Sequence, residues 1–190
     1  MEGFARDRHY TYEDWLVWPE GERWEIIDGI PHMMAPPSTS HQSVSGELFA
    51  QIHTLLRDKP CRVFHAPFSV RLNPDGADDT VLEPDLAVIC DVNKLDKQGC
   101  KGVPDLVVEI LSPSTAARDK FHKFNRYLRA GVREYWIVDP DSLTVSAHVL
   151  AGGQYVVNVY GDTGYAPISI LSGCEIDLKE LFQYNFRMEG

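Results

Sequence analysis

The sequence predicts an α/β protein built on a mixed central sheet, and three observations carry that prediction. Apolar runs at 81–90, 104–111 and 132–139 are short and rich in Val, Ile and Leu, as strands covered on both faces are. Helical stretches lie at 41–57 and from Ser112 toward Ala130; apolar residues recur every 3.6 positions through the first. Asp28-Gly29 and Gly152-Gly153 are two-residue turn signals of the kind that close hairpins, because such turns need positive φ.

In chain order, Thr11 to Leu16 reads as a short helix with Thr11 as N-cap and Asp14 in the first turn. Arg23 to Met33 reads as a hairpin turning at Asp28-Gly29. Pro36 to Ser40 is a loop before the helix 41–57, whose buried stripe is Val44, Leu48, Ile52 and Leu55. Cys61–Leu72 and Val81–Cys90 read as two long strands joined by the polar loop 73–79. A loop over 91–103 precedes the strand 104–111. Ser112-Pro113-Ser114-Thr115 supplies N-cap residues for a helix that stops at Gly131. The strands 132–139, 143–150 and 154–160 follow, then a strand-like 168–171 and a terminal helix 177–182. The middle of the chain therefore runs helix, strand, strand, strand, helix, strand, preceded by a hairpin and followed by a β-meander.

With 190 residues the chain reads as one domain, 1–190, with its core at about 40–140. No apolar run approaches the roughly 20 residues that span a bilayer. Residues 1–9 lack the apolar segment of a signal peptide, so a cytoplasmic protein without membrane association is expected. Cys61, Cys90, Cys100 and Cys174 are dispersed and are expected to be reduced structural thiols, not a zinc site. The formal net charge of −10 argues against a protein that coats nucleic acid through a broad basic surface, while leaving room for a local basic site.

Acids stand inside two of the apolar runs. In Glu83-Pro84-Asp85-Leu86, strand alternation puts Glu83 and Asp85 on one face. In Pro104 to Leu111, Asp105, Val107, Glu109 and Leu111 share a face. If the two strands are neighbours, Asp85 faces Glu109. Carboxylates so placed either pair with Arg or Lys, or hold a cation between them. Mg²⁺ or Mn²⁺ suits hard oxygen ligands, and the Ile110 backbone carbonyl can add one. The following helix carries Arg118, Lys120, Lys123, Arg126 and Arg129 against Asp119. Tyr127 lies one turn after Lys123.

These residues resemble a known family. Glu83-Pro84-Asp85-Leu86, the string Pro104 to Thr115, then Asp119, Lys123 and Tyr127, then Gly131-Val132 and Glu134 to Pro140 are similar to the Uma-two family of bacterial restriction-endonuclease-like proteins, within the PD-(D/E)XK nucleases. Trp24-Glu25, Asp28-Gly29, His41 and Leu171-Ser172-Gly173 extend the resemblance over most of the chain. It implies a restriction-endonuclease-like α-β-β-β-α-β core and a divalent-metal site at Asp85 and Glu109. It also implies Lys123 as catalytic lysine. In the general pattern lysine follows the Glu by two residues. That position is Leu111 here, and Lys123, with Lys120 as a substitute, stands where this family's lysine has moved onto the helix.

The expected function is therefore Mg²⁺- or Mn²⁺-dependent hydrolysis of nucleic-acid phosphodiesters, DNA foremost. Glu25, His41, Tyr127 and Lys120 are expected as auxiliary groups. Two alternatives are a nuclease-like binding or assembly module without catalysis, and a metal-dependent hydrolase of a small phosphoester. Trp15, Trp18, Trp24, Tyr155, Tyr160 and Tyr165 lie outside the core and are expected either at a homodimer interface or in a second core layer.

Overall fold

The computed structural model describes residues 8–19, 21–112 and 122–183. Thr11 precedes helix α1 (Tyr12–Trp15), and Asp14 Oδ2 accepts the Thr11 backbone N–H at 3.0 Å. The hairpin forms as its turn signal dictates. Strands β1 (Trp24–Ile27) and β2 (Ile30–Met33) meet at Asp28 and Gly29, both at positive φ (51° and 75°). Helix α2 (Thr39–Leu55) starts two residues earlier than its apolar period indicates, because the Ser38 hydroxyl caps it by accepting the His41 N–H at 3.2 Å.

The two long strands read from sequence are each broken in the middle. Cys61–Leu72 divides into β3 (Arg62–His65) and β4 (Ser69–Arg71), around Ala66-Pro67. Val81–Cys90 divides into β5 (Val81–Leu82) and β6 (Leu86–Ile89), around Glu83-Pro84-Asp85. Each proline lacks the N–H a ladder needs, so the chain leaves one sheet and enters another there. Glu83 and Asp85 therefore stand in a corner between two sheets and not on one strand face.

The loop 91–103 contains a single 3-10 turn (Val92–Lys94) and strand β7 (Gly99–Lys101). Strands β8 (Leu106–Ile110), β9 (Glu134–Asp139), β10 (Thr144–Ala151) and β11 (Gln154–Tyr160) complete the main sheet. Its order is β11-β10-β9-β8-β6-β3, mixed because β8 and β9 run parallel. The smaller sheet has the order β2-β1-β5-β4-β7. The meander closes at Gly152 and Gly153 as expected. The segment 168–171 is not a strand; the short pair β12 (Tyr165–Pro167) and β13 (Glu175–Asp177) lies on either side of it.

Helix α3 (Phe124–Ala130) ends at Gly131, in the left-handed conformation at φ 84°. The N-cap residues Ser114 and Thr115, and Asp119 and Lys120, lie outside the described residues. Helix α4 (Leu178–Phe182) is capped by Asp177. The α2 stripe Val44, Leu48 and Ile52 packs on Leu106, Val108 and Ile110 of β8 and on Trp136 and Val138 of β9. The other face of the same strands, with Val107, Leu111, Tyr135 and Ile137, packs with Tyr127 of α3.

The expectation of four reduced cysteines is corrected. Cys61 and Cys90 form a disulfide, and Cys100 and Cys174 are free and buried. The β3–β6 register sets Arg62 opposite Ile89, which brings the flanking cysteines together; linear spacing carries no trace of this. No helix among the described residues is long and apolar enough to cross a membrane.

Candidate active site

The two proline corners and the carboxyl end of β8 enclose a cavity of about 110 Å³. Arg23, Glu25, His41, Asp85, Glu109 and Lys123 line it, together with Ile110 and Ser112. Residues far apart in sequence meet here because three elements end at one place: the β1 hairpin, the start of α2 and the β8–α3 passage.

Glu109 is buried in an apolar strand and accepts from both Lys123 and Tyr127. Lys123 Nζ lies 3.1 Å from each carboxylate oxygen, and the Tyr127 hydroxyl donates to Oε1 at 2.7 Å. Lys123 is itself buried and reaches Glu25 Oε1 at 2.8 Å. Glu25 Oε1 also accepts the Glu83 backbone N–H at 2.9 Å, which ties the hairpin to the corner. Burial pushes the Tyr127 hydroxyl well above its ordinary pKa, and the nearby Glu109 and Glu25 charges push the same way. Tyr127 thus stays protonated and donates to Glu109.

Asp85 is held separately. Its Oδ2 accepts the Ile110 backbone N–H at 2.7 Å and lies 3.1 Å from His41 Nε2. His41 sits in the first turn of α2, which is how that helix reaches the Asp85 carboxylate. His41 Nδ1 is buried without a hydrogen-bond partner among the described residues. Asp85 and Glu109 line the same cavity. The antiparallel register of β6 and β8 sets Leu86 opposite Val108, which brings Asp85 alongside Glu109, and the Asp85 carboxylate engages the Ile110 amide.

Arg23 is the residue that sequence reading missed. Its Nε lies 2.9 Å and its Nη2 2.7 Å from Glu83 Oε2. The signal was present: a buried Glu83 requires a cation, and Arg23 opens the hairpin that carries Glu25.

Among the described residues lining the cavity, Arg23 pairs with Glu83, Lys123 contacts Glu25 and Glu109, and His41 contacts Asp85. Buried negative charge is costly unless a cation or protons compensate it. The donor set, two carboxylates and a backbone carbonyl, suits a hard divalent ion that keeps several waters. Among the described residues, no three acidic, histidine or cysteine side chains converge as a ready cluster for a metal. A cation here would thus rely on Asp85, Glu109, the Ile110 carbonyl and water.

The chain has counterparts among known proteins. An uncharacterized protein of Synechocystis sp. is 27% identical over 139 residues, covering 72% of this chain and 72% of that protein. The crystal structure of a protein from Anabaena variabilis, titled a putative nuclease belonging to DUF820, superposes with a TM-score of 0.75. It covers 93% of this chain and 99% of that chain at 22% identity, a likeness that establishes the restriction-endonuclease-like fold. The model of the Uma2 family, described as "Putative restriction endonuclease", matches residues 10–179, and the chain belongs to that family.

Proposed function

We propose that the cavity hydrolyses phosphodiester bonds of nucleic acid, DNA foremost, with a divalent cation. The observation that carries this reading is the gathering of Glu25, Asp85 and Glu109 with the buried Lys123 at one cavity by the carboxyl end of β8. Family membership supports a nuclease-like activity.

Asp85, Glu109 and the Ile110 carbonyl are the groups that would hold Mg²⁺ or Mn²⁺. When bound, such an ion lowers the pKa of a water and stabilises charge developing on the phosphate. The chain's own groups do the positioning. The Ile110 amide and His41 fix the Asp85 carboxylate, and Tyr127 fixes that of Glu109. Lys123 is placed to neutralise phosphate charge or orient the attacking water, and Glu25 steers its ammonium. The position two residues after Glu109 is Leu111, which packs in the core, so its usual lysine role passes to Lys123.

The test is cleavage of plasmid and of single-stranded DNA with Mg²⁺ or Mn²⁺. Wild type is expected to cut, and Asp85→Ala to lose at least about a hundredfold in rate, the scale seen when one electrostatic group is removed. No cleavage by wild type, or equal cleavage by Asp85→Ala, would refute the proposal. One observation favours a second reading, a binding module without catalysis: Lys123 contacts both oxygens of Glu109 and so already neutralises it. DNA binding without cutting in the same assay would support that reading. A homodimer is also proposed. Val156, Val157 and Val159 are exposed on the edge strand β11 and suit a second copy; sedimentation velocity measures it.

A further inference from the structure

We propose that Trp15, Trp18 and Trp24 form a stacking subsite for one unpaired nucleobase of the strand whose phosphate occupies the reaction cavity. This rests on the nuclease reading and sharpens it. The substrate becomes single-stranded or locally unpaired nucleic acid.

The three indoles line a second cavity of about 210 Å³, with Leu16 and Glu22 at its walls. Their geometry is held from within. Trp15 donates its indole N–H to the Trp24 carbonyl at 2.8 Å, and Trp24 donates to Glu22 Oε2 at 3.1 Å. Trp18 meets Trp24 edge-on, with ring centroids 6.1 Å apart and planes at 72°. The cluster is half-buried and not sealed, and the adjoining Leu16 is 48% exposed. Trp15 and Trp18 pack against the buried Tyr10, Tyr12, Ile26 and Val81 yet stay only half-buried, and apolar surface is costly to leave wet.

Location gives the cluster its partner. Arg23 lines both this cavity and the reaction cavity, and Glu83, its ion-pair partner, lines this one. One ion pair therefore stands between the carboxylate cluster and the indoles. A strand whose phosphate sits by Asp85 and Lys123 brings a neighbouring base to the tryptophans. The charge of the chain favours the same conclusion. A net charge of −10 disfavours a broad basic surface of the kind that holds a duplex, whereas stacking on aromatic rings needs no net charge and accepts any base.

Intrinsic fluorescence reports on this cluster. Trp136, the remaining tryptophan, is fully buried with its indole N–H on Glu134. The experiment titrates the full chain, without added metal, with a single-stranded oligonucleotide and with the matching duplex. The proposal expects saturable quenching by the single strand and little by the duplex. Trp18→Ala should weaken single-strand affinity about 5- to 150-fold, the equivalent of one lost base stack, while Trp18→Phe keeps most of it. Absence of quenching by the single strand, or equal quenching by the duplex, would overturn the subsite. So would unchanged affinity in a folded Trp18→Ala. Metal-dependent cutting of single strands with no dependence on Trp18 removes the subsite alone. Quenching and Trp18-dependent binding without cutting removes the nuclease reading and leaves the subsite.

Discussion

Glu109 and Glu134 are both buried carboxylates set in apolar strands of the same sheet, and they are opposite in design. Glu134, at the start of β9, is fully buried, and both its oxygens are bound. Trp136 Nε1 donates to Oε1 at 2.7 Å and the Ile170 amide to Oε2 at 2.9 Å. Its donors are neutral, and burial raises its pKa. It pins the segment 168–171 to the sheet. Glu109 instead meets an ammonium and a phenol, shares that ammonium with Glu25, and borders a cavity. A buried acid in a strand is thus not by itself a reactive group. What distinguishes the two is a cation shared among several carboxylates at an opening.

Substitutions separate the two carboxylates. Lys123→Met leaves Glu25 and Glu109 buried without their counter-charge and is expected to cost about 3–5 kcal/mol in urea unfolding. Glu134→Leu strands the Trp136 and Ile170 donors, at about 2–3 kcal/mol, yet leaves DNA cleavage unchanged at a temperature where the variant is folded. Tyr127→Phe removes one hydrogen bond to Glu109, costing about 1–2 kcal/mol with a fall in cleavage rate. The smallest effect is on pH dependence. The folded-state pKa of Glu134 is raised above its ordinary value of 4.5, so between these values the folded chain holds more protons than the unfolded one. Its contribution is present below 4.5 and is lost as pH rises through the raised value, and Glu134→Gln should remove that slope from a plot of melting temperature against pH.

Much of this was legible in the sequence, and the remainder failed for identifiable reasons. Asp28-Gly29, Gly152-Gly153, Thr11 and Gly131 marked their turns and caps because local backbone chemistry decides them. The breaks at Pro67 and Pro84 were signalled by proline but outweighed by apolar runs on either side. The Cys61–Cys90 disulfide depended on the β3–β6 register, which is a long-range property. Asp85, Glu109, Lys123, Glu25, His41 and Tyr127 were singled out from sequence, and the fold gathers them at one end of β8. Their pairing was not legible. Nothing local says that Lys123 reaches two carboxylates, that His41 meets Asp85, or that Glu134 closes on Trp136 and the backbone.

The most direct test of the central claim is calorimetric titration with Mn²⁺ of wild type, Glu109→Gln and Glu134→Gln. If the cavity holds a divalent ion, wild type binds Mn²⁺, Glu109→Gln binds at least about tenfold more weakly, and Glu134→Gln matches wild type. No binding by wild type, or the same affinity in Glu109→Gln, would contradict it.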